Sequence, residues 1–237
     1  MWRKLWLESR WRFLIGIALV AAVSSVDVAQ ADIVMPRLGL LHDQFNQFVW
    51  KMYFTRVSLA WILATLLLTA GGLCREQTLG TSLFSLSLPI SRKRWLITRA
   101  LMAAGESLAL AFVPTVVIPV VSSFTGHAYS PWQAAKFSLL MFLTGLATFG
   151  VGVLGSSLMQ GEYAAVLLGI GYVFLIGMAA NIALPAGQYA DYITGRYHMD
   201  ANWHLTGGWP WWAVAGNLAA AILFLTIAAR QLEQRDF

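Results

Sequence analysis

The chain has 237 residues, of which 58% are hydrophobic and 11% are charged, and its formal net charge is +5. Soluble domains carry about 25% charged residues, so this composition excludes an ordinary soluble domain and indicates a protein embedded in lipid. The polar stretches are too short to form a catalytic domain with its own core, and the single cysteine, Cys74, excludes an intramolecular disulfide or a cysteine-rich metal site.

Six uncharged or nearly uncharged runs are long enough to cross a hydrocarbon core of about 30 Å, which takes about 20 helical residues. Each run is continuously apolar, whereas a strand of a membrane barrel alternates over about ten residues, so the runs predict helices. Residues 1–237 are therefore predicted to form one all-α transmembrane domain. The six predicted spans are Phe13 to Ala29, Val57 to Leu73, Leu101 to Val121, Phe137 to Met159, Ala164 to Leu184 and Trp209 to Ala229.

Residues 1–12 precede the first span and interleave tryptophans with basic residues. This pattern predicts an amphipathic helix that lies flat in the membrane interface. A second interpretation is a signal peptide, with a basic start, an apolar run over residues 13–23 and Ala29-Gln30-Ala31 as the cleavage site. Removal of the first span would leave five spans and place the two termini on opposite sides.

The distribution of Lys and Arg predicts how the spans are oriented. The two terminal tails and the loop between spans two and three carry eleven of these residues, and the remaining loops carry five. Both termini are therefore predicted to be cytoplasmic, in a multi-pass protein of a bacterial-type inner membrane. Topology and contact with lipid head groups explain the net positive charge, so no nucleic-acid partner is predicted.

The loop between spans two and three is the longest cytoplasmic connection and has a helical pattern of its own. Leu79, Leu83 and Leu86 recur at helical spacing, and Pro89 disfavours helical geometry at the residue before it. Ser91 is a suitable N-cap for the helix that leads into span three. These features predict a short amphipathic helix, a turn and then span three, and on physical grounds alone the element could equally be an interfacial loop.

Several residues of this loop form a more specific pattern. They are Glu76, the Thr78-Leu79-Gly80 step, Ser87-Leu88-Pro89-Ile90-Ser91-Arg92, Trp95-Leu96 and Arg99. The pattern resembles the cytoplasmic signature of ABC-2 type transporter permeases, which are type V exporter-like membrane subunits. The ending Arg230 to Phe237 is also similar to the ending of that family. The resemblance covers the layout of all six spans, and its motif covers residues 75–99.

The resemblance implies that residues 75–90 form a coupling helix that docks into a separate ATP-binding subunit. The residues it implies at this contact are Arg75, Glu76, Thr78, Leu79, Gly80, Ser82 and Leu83, with Pro89 and Arg92 fixing the exit into span three. It further implies two copies of the ATPase and a second permease chain, as in a homodimer, which together export a hydrophobic or amphipathic substrate.

The sequence itself predicts no nucleotide site, because a phosphate-binding loop needs a Gly-Lys step and no Lys here follows a Gly. No cofactor is therefore expected on this chain, and ATP and Mg are expected in the partner. A membrane-embedded enzyme and a non-transporting assembly subunit are the alternative functions. An enzyme would need polar catalytic groups at membrane depth, and every histidine lies outside the predicted spans.

Three ionisable residues within the spans or at their edges need an explanation, because charge in lipid is costly. Asp27 and Arg56 both fall toward the outer ends of consecutive antiparallel helices, where they could form a structural salt bridge or snorkel separately to the interface. Glu106 is predicted one to two turns inside the cytoplasmic end of span three. It lines the translocation route or makes an interhelical contact.

Span four carries a stripe of small residues four apart, namely Thr144, Thr148, Gly152 and Ser156. Such a stripe permits close helix packing, and its hydroxyl groups could instead face a transport cavity, as could Asn181 in span five. The four histidines, His42, His127, His198 and His204, fall in predicted external loops without the i, i+4 spacing of a helical metal site. No metal site is predicted, and residues 185–208 are assigned no function.

Overall fold

The computed structural model describes residues 2–41, 44–70, 92–159, 163–183 and 210–234, and all the regular structure in these residues is helical. Helices α1 to α4 cover the first part of the chain, with a π-helical segment at Tyr53–Val57 between α3 and α4. The α-helices are α1 (Trp2–Ala29), α2 (Ala31–Arg37), α3 (Phe45–Met52), α4 (Ser58–Thr69), α5 (Arg92–Phe124), α6 (Pro131–Leu158), α7 (Ala164–Ala183) and α8 (Trp211–Gln234).

Five helical stretches among the described residues are long and apolar enough to cross a membrane. They are Trp2–Ala29, Phe45–Thr69, Lys93–Phe124, Pro131–Leu158 and Trp211–Gln234. Helix α7 coincides with the predicted fifth span, but the apolar stretch Ala165–Ile176 within it is shorter than these five. The chain is therefore an all-helical protein with the character of a multi-pass membrane protein.

Helix α1 differs from the prediction, because it runs without a break from Trp2 to Ala29. No separate interfacial helix is formed over the described part of residues 1–12. The first turns make tertiary contacts instead: Leu5 is buried, and the Ser9 hydroxyl bonds to Glu106 of α5. A 28-residue helix is about 42 Å long, so α1 exceeds a hydrocarbon core of about 30 Å.

The helices that contain the second and third predicted spans begin earlier than those spans. The helix that contains the second span begins at Phe45 and continues through the π-helical segment to Thr69, although the predicted start is Val57. Helix α5 begins at Arg92, although the predicted start is Leu101. Hydropathy places the boundary at the nearest charge, whereas Arg56 and Arg99 lie inside helices, where each contacts an acidic side chain.

The ends of the helices gather at two opposite ends of the bundle, which we name after one residue each. The Ala70 end holds the starts of α1 and α5 and the ends of α4, α6 and α8, and the His127 end holds the opposite ends of these helices. Contacts of Arg12 and Arg99 with Ala70 fix the first end. A contact of His127 with Asp32 fixes the second. Successive long helices therefore cross the bundle in alternating directions.

The second helical stretch lies at the centre of the bundle. Helix α4 contacts α1, α5, α6 and α7, while α6 packs most extensively against α8, and α1 against α5. The outer helices expose large apolar side chains, as a surface in contact with lipid does. Examples are Trp11, Val116, Phe174, Trp212 and Ile222.

Hydroxyl groups form hydrogen bonds between the helices inside this bundle. The buried Tyr53 hydroxyl contacts the Ser138 hydroxyl and donates to the Ala134 carbonyl at 3.1 Å. Ser138 also bonds to Thr115 of α5 at 2.9 Å. These bonds satisfy polar groups that would otherwise be unpaired in an apolar interior, and they tie the π-helical segment, α5 and α6 together.

Candidate functional site

Six residues from three helices form a polar cluster at the Ala70 end, which we call the anchor cluster. Helix α1 provides three side chains, α5 provides two, and the residue that follows α4 provides a backbone carbonyl. The members are Glu8, Ser9, Arg12, Ala70, Arg99 and Glu106. The cluster lies where α4 ends and the 71–91 segment begins, so it joins this segment to the bundle.

The centre of the cluster is the carbonyl oxygen of Ala70, which accepts hydrogen bonds from two guanidinium groups. Arg12 donates through Nη1, and Arg99 donates through Nη2 at 3.0 Å. Ala70 is buried and turns the chain out of the helix with φ −62° and ψ 146°. The last carbonyls of a helix lack intrahelical partners and carry partial negative charge, so two cations here satisfy and stabilise the end of α4.

Arg99 links the Ala70 carbonyl to both neighbouring helices. Its Nη1 lies 3.8 Å from Glu8 Oε2 of α1, and its guanidinium lies 5.5 Å from the centre of the Trp95 ring in its own helix. The Arg99 side chain is only 16% exposed. Since a buried cation needs several partners to offset its lost hydration, this set of contacts holds the guanidinium in one place.

Glu106 is the buried carboxyl group of the cluster, with 6% of its surface exposed. Its Oε1 contacts the Ser9 hydroxyl, whereas its Oε2 is buried and has no hydrogen-bond partner among the described residues. Because α5 begins at Arg92, Glu106 lies about four turns inside the helix. It makes the interhelical contact that was one of the two interpretations of this residue.

A small pocket adjoins the anchor cluster between α4, α5, α6 and α8. Its walls are mostly apolar, with Arg99 as the charged side chain and serine residues of α6 on one side. Its lining includes Leu68, Thr69, Trp95, Arg99, Ser156 and Leu232. Ser156 was predicted for a translocation path, and its hydroxyl donates to the Val153 carbonyl of its own helix at 2.8 Å.

The other predicted path residues lie deeper in the bundle or outside the described side chains. Thr148 is buried, and Thr144 is half-buried with its hydroxyl donating to the Leu140 carbonyl at 2.8 Å. Gly152 packs against Thr69 so closely that an added Cβ would lie 2.4 Å from Thr69 Oγ1. This part of the stripe serves close helix packing. Asn181 belongs to α7, and its side chain lies outside the described residues.

At the His127 end, Asp27 and Arg56 form a salt bridge, which was one of the two interpretations of these residues. Arg56 Nη1 lies 2.8 Å from Asp27 Oδ1, so the His127 end of α1 is tied to the π-helical segment. The Asp27 side chain is 5% exposed and that of Arg56 is 55% exposed. The guanidinium therefore reaches from solvent or head groups to a buried carboxylate.

His127 lies in the connection between α5 and α6, as the sequence predicts, but it is buried. Its ring stacks on Phe45 with ring centres 4.2 Å apart, and Nε2 lies 3.1 Å from Asp32 Oδ1. Burial next to this histidine raises the pKa of the Tyr129 hydroxyl above its usual range. Among the described residues no three His, Cys, Asp or Glu side chains come together as a metal site would require, and the other histidines lie outside these residues.

The residues predicted to contact an ATPase fall outside the described residues. They are Arg75, Glu76, Thr78, Leu79, Gly80, Ser82, Leu83 and Pro89. Arg92 begins α5, and its side chain is likewise outside them. What the structure adds is the anchorage of the chain at Ala70, immediately before this segment.

Glu8, Ser9 and Arg12 are the members of the anchor cluster that sequence reasoning missed. They were assigned to an interfacial tail because tryptophans and cations alternate there, and that pattern does not reveal a tertiary contact. One signal was present: Glu8, Ser9 and Arg12 are three or four residues from Leu5 or from one another, so they share one side of a helix with a buried residue.

No protein-family model matches the sequence, and comparisons with curated proteins and with solved structures likewise gave no match. What the chain does is therefore inferred from its own residues and their geometry.

Proposed function

We propose that this chain is the membrane-spanning permease subunit of an ATP-driven transporter of the ABC-2 type. In this proposal six helices span the cytoplasmic membrane, both termini are cytoplasmic and residues 75–90 couple the chain to a separate ATPase. The working assembly contains a second permease chain and two ATPase subunits, and it exports a hydrophobic or amphipathic substrate.

The distribution of charge over the described residues supports this orientation. The Ala70 end carries nine of their Lys and Arg residues, and the His127 end carries Arg37, Lys51, Arg56 and Lys136. Positive residues accumulate on the cytoplasmic side of membrane proteins. The nine at the Ala70 end are Arg3, Lys4, Arg10, Arg12, Arg92, Lys93, Arg94, Arg99 and Arg230.

The observation that carries the proposal is the pair of hydrogen bonds that the Ala70 carbonyl accepts from Arg12 and Arg99. The motif with the family resemblance begins at residue 75, five residues after Ala70, and runs into α5. A displacement of this segment by an ATPase would therefore act at once on α1, α4 and α5.

The proposal is tested by the ATPase activity of the assembled transporter. Membranes of the native host would be solubilised, the tagged chain purified and the eluate assayed for ATP hydrolysis. We expect an ATP-hydrolysing subunit to co-purify, and we expect Glu76→Lys to abolish its retention. Glu233→Lys is the matched control, because Glu233 is an exposed carboxylate near the end of α8, also at the Ala70 end.

Two results would overturn the proposal. One is that no ATP-hydrolysing subunit accompanies the wild-type chain under conditions that preserve the bundle. The other is that Glu76→Lys retains the ATPase as well as Glu233→Lys does. Either result would favour an assembly subunit or a membrane-embedded enzyme.

A further inference from the structure

The first three turns of α1 present two different faces. One face enters the bundle, where Leu5 is buried and Arg12 donates a hydrogen bond to the Ala70 carbonyl. The other face carries Arg3 and Arg10, which are seven residues apart and therefore lie on one side of the helix. Both are exposed. The structure thus separates the cations of this helix into one that holds the bundle together and others that face outward.

The outward face of α1 combines these cations with aromatic and apolar side chains. Trp11 is 64% exposed, and the guanidinium of Arg10 lies 5.6 Å from the centre of its ring. Leu7 and Leu14, on the same side of the helix, are also exposed. In a membrane the apolar groups of such a face contact hydrocarbon, while long basic side chains extend to the head groups and tryptophan lies at the boundary.

Helix α5 brings a further exposed cation to nearly the same level of the bundle. It packs against α1, and a Cβ at Gly16 would lie 3.0 Å from Leu110 Cδ1, which fixes how the two helices are aligned. Arg3 lies thirteen residues before Gly16, and Lys93 lies seventeen residues before Leu110. At a rise of 1.5 Å per residue, Lys93 is therefore about 6 Å further out than Arg3, and it is exposed as well.

The carboxyl groups at the Ala70 end are too few to balance its positive charge. Among the described residues this end has nine Lys and Arg residues and three carboxyl groups, which are those of Glu8, Glu106 and Glu233. Glu8 lies close to Lys4 and Arg99 and not on the outward face, and Glu106 is buried. The described part of the His127 end has four Lys and Arg residues and two carboxyl groups. An anionic head group is therefore attracted more strongly to the Ala70 end.

We propose that the outward face of α1, together with the first turn of α5, binds anionic phospholipids in preference to zwitterionic ones. Arg3, Arg10 and Lys93 bind the phosphate group, and Trp11 lies between the head group and the acyl chains. A zwitterionic head group brings a cation of its own, which these side chains repel, whereas phosphatidylglycerol carries a net negative charge. The inference does not rest on the proposed function, because it needs only the bundle in a bilayer.

The preference is measured by electron paramagnetic resonance of labelled lipids. The full chain would be reconstituted in phosphatidylcholine vesicles with a trace of nitroxide-labelled phosphatidylglycerol or phosphatidylcholine, and the fraction of each label that the protein immobilises would be compared. We expect the wild type to immobilise more of the phosphatidylglycerol label. The difference should shrink as salt is raised to about 1 M, because exposed charges are screened. Equal immobilisation of the two labels at low salt would overturn the proposal.

Variants of the cations test where the preference arises. Arg3→Gln/Arg10→Gln/Lys93→Gln should lose most of the preference for phosphatidylglycerol. Arg3→Lys/Arg10→Lys keeps the charge of α1 and should retain the preference. A loss in the lysine variant as large as that in the glutamine variant would overturn the proposal, since charge would then not be the cause.

A matched control removes three cations from the other end of the bundle. Arg37→Gln/Lys51→Gln/Lys136→Gln lowers the net charge by the same amount at the His127 end and should keep the preference. If the two triple variants lose it equally, the preference comes from overall charge and the proposed site is wrong. Should the first triple variant not fold, Arg10→Gln alone must lower the preference and Lys136→Gln alone must not.

Discussion

The edge of the Trp61 ring fills the space beside Gly145, where a Cβ would lie 2.1 Å from the ring atom Cζ3. Trp61 is 1% exposed, and its indole N–H donates to the Ser107 carbonyl at 2.9 Å, so the ring cannot move aside without losing that bond. Glycine at position 145 is therefore required for the approach of α4 to α6.

We predict that Gly145→Ala lowers the free energy of unfolding by about 2–3 kcal/mol, as overpacking of a tight core does. Gly105→Ala is the control, because a Cβ at position 105 has no neighbour within 4 Å, and alanine there should be neutral or slightly stabilising. Denaturant titration in mixed micelles measures both. Equal stability of the two variants would contradict the assigned packing.

We predict that the two cations on Ala70 substitute for one another in part. Arg12→Ala or Arg99→Ala should each lower the unfolding free energy by about 1 kcal/mol, since polar contacts in membrane proteins are worth less than those of charged groups in water. The double variant should lose more unfolding free energy than the two single variants together, because only in the double variant does the carbonyl lack both donors. Arg10→Ala, at an exposed position of α1, is the control, and strict additivity would argue against a shared acceptor.

We predict that Asp27 and Arg56 are energetically coupled. Arg56→Met leaves a buried carboxylate without its cation and should cost about 2 kcal/mol, less than the roughly 3–5 kcal/mol of a fully buried pair because the guanidinium is half exposed. Asp27→Asn combined with Arg56→Met should recover most of that loss. A double-mutant cycle in the same unfolding assay measures the coupling, and a coupling of zero would mean that the two side chains act separately.

We predict six spans with both termini in the cytoplasm. Fluorescent-protein fusions at the carboxy terminus should fluoresce, since the reporter folds in the cytoplasm, and alkaline phosphatase fused after residue 128 should be active because that site lies at the His127 end. Phosphatase fused after residue 159, at the opposite end of α6, is the control and should be inactive. An active phosphatase at the carboxy terminus would mean an odd number of spans or a reversed orientation.

Most of the helical architecture could be predicted from the sequence, because long apolar runs in lipid have few alternatives to helices. The ends of the helices could not be predicted, since a hydropathy profile ends a span at a charged residue whether or not that residue has a partner. Arg56 shows this: it lies inside a continuous helical stretch and pairs with Asp27. Residues 2–12 show the same limit, because they continue into α1 and the contacts of Ser9 and Arg12 are made to residues far along the chain.

Part of the candidate site was predictable and part was not. Glu106 stood out from the sequence because a carboxyl group is rare within an apolar span. Its contact with Ser9 spans 97 residues of sequence separation, which no local pattern encodes. Ala70 could not be found at all from its side chain, because it contributes a backbone carbonyl, and any residue in that position offers one.

The π-helical segment at Tyr53–Val57 makes the central helix one residue longer than an α-helix along the same path. One extra residue rotates the following helix by about 100°. The buried positions of α3 are therefore offset by one residue from the helical repeat that the buried positions of α4 follow. The buried side chains of α3, Phe45, Phe48 and Val49, thus keep their place only while the extra residue is retained. A chain shortened by one residue here would turn these aromatic and aliphatic groups toward lipid, although no contact at the Ala70 end had been altered.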